Sequence, residues 1–476
     1  MSEITKVQTA INKKELKYPA LFIAETPKDC LKLLAQSGVE LFDWQKESLT
    51  GNGASYFETK NGLVSTVIFK KLKASTDFVP GQFNVDAYSF YRDNVLTWLK
   101  KISFSDFSLL AATKVSPKAF EGFGMGVTLA SYNFKKERDI TIHLAKANKD
   151  LETGIEKGHC VNDARFLVDT PPNILQPKKF KDLIVEEFEK TPNFKVKVLD
   201  KTQIKKQGYG LILGVGQASE EGPYLVHVSY RKRGAKKTYA GVGKGITFDT
   251  GGTDLKPAQF MRWMKKDMGG AAALFGFAKS VKTFKPNTNF DFVFAIAENS
   301  VSSNAFRPGD ILTAQNGMDV EIHNTDAEGR LALASGFNYL NTLNTKFDCC
   351  FDVATLTGAI KVGLGDQIGG LFSNSQKLGK KVYKASEKSG DPLWLMPLPR
   401  WTKSKLNSPV ADIVNCTDGY GGSISAAEFL RFFVPEETPW FHMDIFSWTD
   451  ASRDAFSAKG ATGQGVQVLQ QHFLNL

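Results

Sequence analysis

The segment Asn324-Thr-Asp-Ala-Glu-Gly-Arg-Leu331 joins two stretches of different periodicity, and that junction constrains the fold of the 476-residue chain more than any other feature. Before it, Val320 and Ile322 alternate with other residues from Asp319 to His323, as in a strand; after it, Leu333, Phe337 and Leu340 recur at helical spacing. Acidic residues where a strand gives way to a helix lie on the rim at which open α/β sheets place their ligands. Read as extended chain, the octapeptide projects Asp326, Glu328 and Arg330 to one side, two carboxylates and a guanidinium in one space. Two anions so placed need a cation.

A second segment, Gly241 to Gly270, is too glycine-rich to be one regular element and adds Lys244, Asp249, Lys256 and Asp267. The chain has only six histidines and no His-x-x-x-His pair, so the inventory argues against a histidine-rich zinc site. An oxygen-dominated site remains, with room for two divalent metals bridged by shared carboxylates and a water whose pKa they lower. Lys244 in Gly-Val-Gly-Lys-Gly is not a phosphate loop: Gly245 stands where Ser or Thr would hold magnesium, and Thr238 where the opening glycine belongs. Gly214-Val-Gly216, after the apolar run Leu211 to Leu213, is read as a strand-to-loop turn, because the third glycine of a dinucleotide fingerprint would fall at Ser219.

Both segments resemble the two signatures of the M17 leucyl aminopeptidases, the cytosol aminopeptidases, in residue type and in spacing. Further similar stretches are Asp169-Thr-Pro-Pro-Asn173, Asn304 to Asp310, Ala354-Thr-Leu-Thr-Gly358, Gly421 to Ala427 and Lys459-Gly-Ala-Thr-Gly463, which together span the C-terminal two-thirds. The resemblance implies that Asp249 and Glu328 bridge two divalent ions, zinc or manganese, with Lys244 and Asp267 completing the tighter site and Asp326 the looser one. It implies that Lys256 stays charged and stabilises the oxyanion formed when a hydroxide bridging the metals attacks the peptide carbonyl, and that Arg330 holds a bicarbonate acting as proton shuttle. Met264, Asn324, Thr355 and Gly358 are expected around the first residue of the substrate, the last two through backbone groups. The activity implied is release of N-terminal, Leu-like residues from peptides with a free amine, by a homohexamer built from two trimers. The alternative is a catalytically silent relative with a structural or DNA-binding role, against which the intact acids, lysines and Arg330 argue.

Some positions depart from the family pattern. Ser335 stands where aspartate is expected, Phe446-Ser447 replaces a small Ala-Gly step after His442-Met-Asp-Ile445, and Phe260 brings bulk where a small or amide residue is usual. His323 has the opposite strand parity to Asn324 and Asp326 and is read as structural. Met268, near Trp263, fits a core position.

The length favours more than one domain. Residues 1–150 are expected to form a smaller α/β domain that supports assembly, with a helix through Leu31, Leu33, Leu34 and Val39 and a strand through Val64, Thr66 and Ile68. Residues 151–170 read as a linker helix stopped by Pro171-Pro172, and 171–476 as the catalytic domain. There, helical patterning at Phe180, Leu183, Ile184 and Phe188 alternates with strand-like runs at Lys195–Leu199, Leu211–Val215, Tyr224–Tyr230 and Asp291–Ala297, which implies a mixed, largely parallel sheet covered by helices. Val466, Leu469, Phe473 and Leu476 mark a final packed helix.

Five scattered cysteines without metal spacing read as reduced thiols, and the first nineteen residues hold no apolar run. Both point to the cytoplasm, and no run approaches a membrane span. Basic residues outnumber acidic ones, 60 to 50. The basic runs Arg231–Lys237 and Lys377–Lys381 are short and lack interleaved aromatics, which argues against a nucleic-acid partner.

Overall fold

The computed structural model describes residues 5–9, 19–49, 53–59, 62–68, 87–102, 106–135, 139–452, 454–456 and 458–474. The chain divides into two compact units, Met1–Asn162 with Asp450–Lys459, and Asp163–Thr449 with Gly460–Leu476. The helix Lys149–Asp169 runs through the point of division.

In the first unit the strands pair in the order Thr5–Thr9, Ile140–Leu144, Asp106–Ala111, Ala20–Ala24, Gly62–Ile68, Gly53–Thr59, parallel except for the last pairing. Strand Ala20–Ala24 is buried throughout because its alternate residues feed two cores. Leu21 and Ile23 face Phe107, Phe123 and Ile142, whereas Phe22 and Ala24 face Cys30, Leu33 and Leu34. Those last three lie on the helix Pro27–Gln36, which starts with proline in its first turn and the Thr26 hydroxyl accepting from Asp29 N at 3.1 Å.

The second unit is built on a sheet ordered Leu393–Leu395, Gly369–Ser373, Trp440–Asp444, Cys349–Ala354, Thr238–Asp249, Asn289–Asn299, Tyr224–Tyr230, Phe194–Leu199. Its four central strands are mutually parallel, and antiparallel pairings occur toward the edges. Helices cover both faces of the long strand Thr238–Asp249, and parity assigns them. Gly243 backs onto Ala271 of the helix Gly269–Phe284, and Val242 meets Gly336 of the helix Gly329–Asn341. Lys244 shares the parity of Val242, so its side chain rises on the face covered by the helix that follows the acidic octapeptide.

Val39 lies past the end of the first unit's helix Pro27–Gln36, and two expectations about the second unit change. Leu211–Val215 is not a strand but part of a helix, Gly210–Gly216, that packs on Gly329–Asn341. A short apolar run does not separate buried helix from buried strand. Here a side chain at Gly210 would lie 2.3 Å from Thr313 O, and Ile212 N donates to the Ser335 hydroxyl at 3.1 Å. The serine that departs from the family pattern thus has a structural partner. The second change concerns the octapeptide and is described with the site. Arg231, in the first basic run, chelates the buried Asp291 carboxylate with two bonds of 2.8 and 2.9 Å. No helix among the described residues is long and apolar enough to cross a membrane.

The final helix, Val466–Phe473, buries Val466, Leu469 and Phe473; Leu476 lies outside the described residues, as do residues 1–4 and 10–18 of the amino-terminal stretch. On that helix His472 packs edge-on against Phe473 with ring centroids 4.5 Å apart, and its Nδ1 has no hydrogen-bond partner. Burial, with a smaller contribution from Lys381, holds its pKa down at about 4. The unfolded chain therefore takes the proton first, near pH 6.5, and the stability conferred by the neutral ring is lost as pH falls from there toward 4. We expect up to about 3 kcal/mol of acid destabilisation from this group. Urea denaturation at pH 7 and pH 4.5 should show a smaller acid loss in His472→Leu than in the wild type.

Candidate metal centre

Six charged side chains from two segments converge at the carboxyl ends of the central strands. Asp249 ends the strand Thr238–Asp249, where the pairing with Asn289–Asn299 slips by a bulge. The following loop turns through Gly251 and Gly252, both at positive φ, and returns Lys256 to the site. Gly251 N and Asn299 Nδ2 each donate to Asp249 Oδ1 at 2.8 Å, which leaves Oδ2 to face Lys256 Nζ at 2.8 Å. Thr325 stitches this loop to the octapeptide. Its hydroxyl donates to Gly251 O and accepts from Asp254 N, and its amide donates to Asp254 Oδ2.

The octapeptide is not extended, and the parity argument for it fails. The strand is only Asp319–Glu321; the Asn324 side chain then accepts from Asp326 N at 2.7 Å, curling the chain into a turn, and the helix begins at Gly329 with Glu328 in helical conformation. The turn still brings Asp326 and Glu328 to Asp249, with one oxygen of each within 4.8 Å of the others. Arg330 instead lies in the first helical turn and donates from Nη1 to Asn415 O at 2.7 Å; its buried Nε has no hydrogen-bond partner.

Lys244 is the hub of the other half. Its ammonium lies 2.8 Å from Asp267 Oδ2, 3.0 Å from Glu328 Oε1 and 2.9 Å from Thr355 O, while the Thr355 hydroxyl donates to Asp267 Oδ1 at 2.9 Å. Lys256 is paired with both Asp249 and Asp326. Burial opposes charge on both lysines, but the surrounding carboxylates outweigh it and push both pKa values up. The acids carry the cost. Burial first, then the neighbouring Asp249, raises Glu328 well above the usual carboxylate range and Asp326 to about 6.

Four carboxylates face two ammonium groups, so the cluster holds an excess of negative charge, and Glu328 Oε2 is buried without a hydrogen-bond partner. Hard oxygen donors with an unmet anionic excess suit divalent cations. Lys244 can join such a set only by giving up its proton.

Of the residues expected at the substrate, Asn324 shapes the turn and Thr355 touches Asp267, whereas Met264 opens the short 3₁₀ turn Met264–Lys266 and Gly358 opens the helix Gly358–Leu364. His323 is exposed, 3.3 Å from Glu321, and stands outside the acid cluster. Phe260 is exposed.

Three supporting residues were not read from the sequence. Asn299 orients Asp249; Asn415 accepts from His323 N and Asn324 N and donates to Asn324 O; Asp444 accepts from Leu356 N, Thr357 N and the Thr357 hydroxyl. Asn299 and Asp444 end strands beside those carrying the motifs, an adjacency that the sequence does not display. Lys266 was also missed. It is 5 % exposed, with its pKa pushed down to about 8, chiefly by burial, against the opposing pull of Asp267.

Residues 162–470 match the profile of the cytosol aminopeptidase family, catalytic domain. A probable cytosol aminopeptidase of Nostoc punctiforme is 42 % identical over 320 residues, 66 % of this chain and 64 % of that protein, so the match spans a little under two-thirds of the relative's length. Among solved structures, a bottromycin maturation enzyme, BotP, in complex with Mn is similar with TM-score 0.82 and 26 % identity over 95 % of this chain and 98 % of that one. A tomato leucine aminopeptidase mutant is similar with TM-score 0.80 and 27 % identity over 99 % and 96 %.

Proposed function

The chain belongs to the cytosol aminopeptidase family, and on that premise we propose that it is a metal-dependent aminopeptidase releasing the first residue of peptides with a free amino terminus. The observation that carries this reading is the gathering of Asp249, Asp326 and Glu328 within 4.8 Å, flanked by Lys244 and Lys256. In this reading Asp249 and Glu328 would serve both of two divalent ions, zinc or manganese, with Lys244 and Asp267 completing the set for one and Asp326 for the other. When bound, the ions supply Lewis acidity that lowers the pKa of water and polarises the scissile carbonyl.

The chain's own groups do the rest. Lys256, kept cationic by the acids beside it, donates to the oxygen on which negative charge develops, a contribution of roughly a few kcal/mol. Arg330, with an unsatisfied buried Nε, offers a bidentate donor to a small anion such as bicarbonate, which would hold and return the proton. Asn299, Thr325 and Thr355 keep the acids from splaying apart. A homohexamer and a cytoplasmic location complete the reading; the latter is supported by five cysteines in no disulfide, four of them buried.

An acid-rich pocket that engages a free terminal amine should reject a blocked one. We expect N-acetylated peptides to be cleaved at least about a hundredfold more slowly than their free counterparts by the manganese-loaded protein, about 3 kcal/mol of lost recognition. Equal rates on the two would refute exopeptidase action.

A further inference from the structure

Two ammonium groups converge on one aromatic ring beside the acid cluster. Lys266 Nζ lies 4.4 Å from the centroid of Phe446, and Lys361 Nζ lies 4.1 Å from it. Lys266 is 5 % exposed and, among the described residues, makes no ion pair or hydrogen bond with an acid. Lys361 makes none either, though it is exposed. A ring face compensates a cation only in part. Two like charges on one ring repel, and a buried ammonium without an anion is costly.

Their placement says what the anion belongs to. Lys266 ends the turn that Met264 opens and immediately precedes Asp267. Lys361 lies three residues after Gly358 on the helix Gly358–Leu364, and so on the same face. Phe446 follows Asp444, the carboxylate that fixes the Leu356 and Thr357 amides next to Thr355. The cationic pair therefore comes from the same turns that carry Met264, Thr355 and Gly358.

We propose that Lys266, Lys361 and Phe446 form a specificity site for the side chain of the substrate's first residue, and that this site takes a carboxylate. Peptides beginning with Glu or Asp are then preferred to those beginning with Gln or Leu. The proposal rests on the aminopeptidase reading and replaces the leucine-like preference expected from resemblance alone. A leucine side chain at this point would strip water from the exposed Lys361, leave the buried Lys266 without an anion, and return no hydrogen bond to either. A carboxylate gives each ammonium an oxygen, and the Phe446 ring packs against its methylenes.

The test uses the manganese-loaded full chain and the p-nitroanilides of Glu, Gln and Leu, with kcat/KM ratios taken within each protein so that a general loss of activity cancels. The wild type should favour Glu over Gln about tenfold or more, as for a charge-assisted hydrogen bond. In Lys361→Gln that ratio should fall about tenfold, and in Lys361→Glu it should drop below one. Calorimetry of L-glutamate against L-glutamine should show the same order of binding to the wild type. Hydrolysis of the Leu substrate with no preference for Glu over Gln would overturn the specificity site and leave the aminopeptidase reading standing. Failure to cleave any of the three would overturn both. If capping Ala-Ala as its amide abolishes cleavage and the Glu to Gln ratio is one, the lysines bind a dipeptide's terminal carboxylate and the proposal is wrong.

Discussion

Glu328→Ala is expected to lower kcat/KM by at least about 10³-fold, on the order of 4 kcal/mol of barrier, with little loss of fold. The carboxylate is buried, one oxygen 3.0 Å from Lys244 and the other without a hydrogen bond, so in the metal-free chain it gains less than it costs. Its removal relieves repulsion with Asp249, which contributes to raising its pKa. A thermal melt in chelator should therefore place the variant at or above the wild type, while plasma emission analysis of the reloaded protein shows fewer than two ions per chain. A variant that keeps both its ions and its turnover would remove Glu328 from the site. A variant that loses activity only because it unfolds would make the carboxylate a structural residue.

The second large effect needs no change to any charged group. A β-carbon on Gly329 would lie 2.4 Å from Lys244 Cε and 2.6 Å from its Nζ, far inside van der Waals contact. Lys244 is 2 % exposed and held by Asp267, Glu328 and Thr355 O, so it can yield only by leaving them. Gly329→Ala, which by propensity alone should favour the helix it opens, is instead expected to cut kcat/KM by about a hundredfold and to weaken metal binding in competition with a chelator. Unchanged activity would mean that the lysine can move without consequence, and its place among the ligands would be lost.

The chemistry of the site was legible in the sequence further than its geometry was. Acid and lysine side chains of the right kind stand in two short segments, and a shortage of histidine narrows what they can do. The reason given for their convergence was nonetheless incorrect. Alternating parity presumed an extended Asp326–Arg330, whereas the Asn324 side chain caps Asp326 N and bends the chain into a turn before the helix. Asx turns compete with strand conformation through one local hydrogen bond, and period-two patterning over five residues does not register that competition. The run Leu211–Val215 failed for a related reason: being apolar on every side, it carries no period, and its helix is imposed by contacts with Thr313 and Ser335 far along the chain. Asn299, Asn415 and Asp444 were invisible because their relevance depends on which strands and loops lie side by side. The alternation of helix and strand, by contrast, was readable where the second unit has long amphipathic segments such as Pro177–Phe188, which declare their period locally.

The two lysines at the heart of the acid cluster also bear on how such a chain would take up an ion. With ammonium groups already bridging Asp267 to Glu328 and Asp249 to Asp326, part of the mutual repulsion is cancelled before any ion arrives. On the metal-centre reading, an arriving ion would then have less repulsion left to offset, and its binding would exchange a lysine proton for the ion.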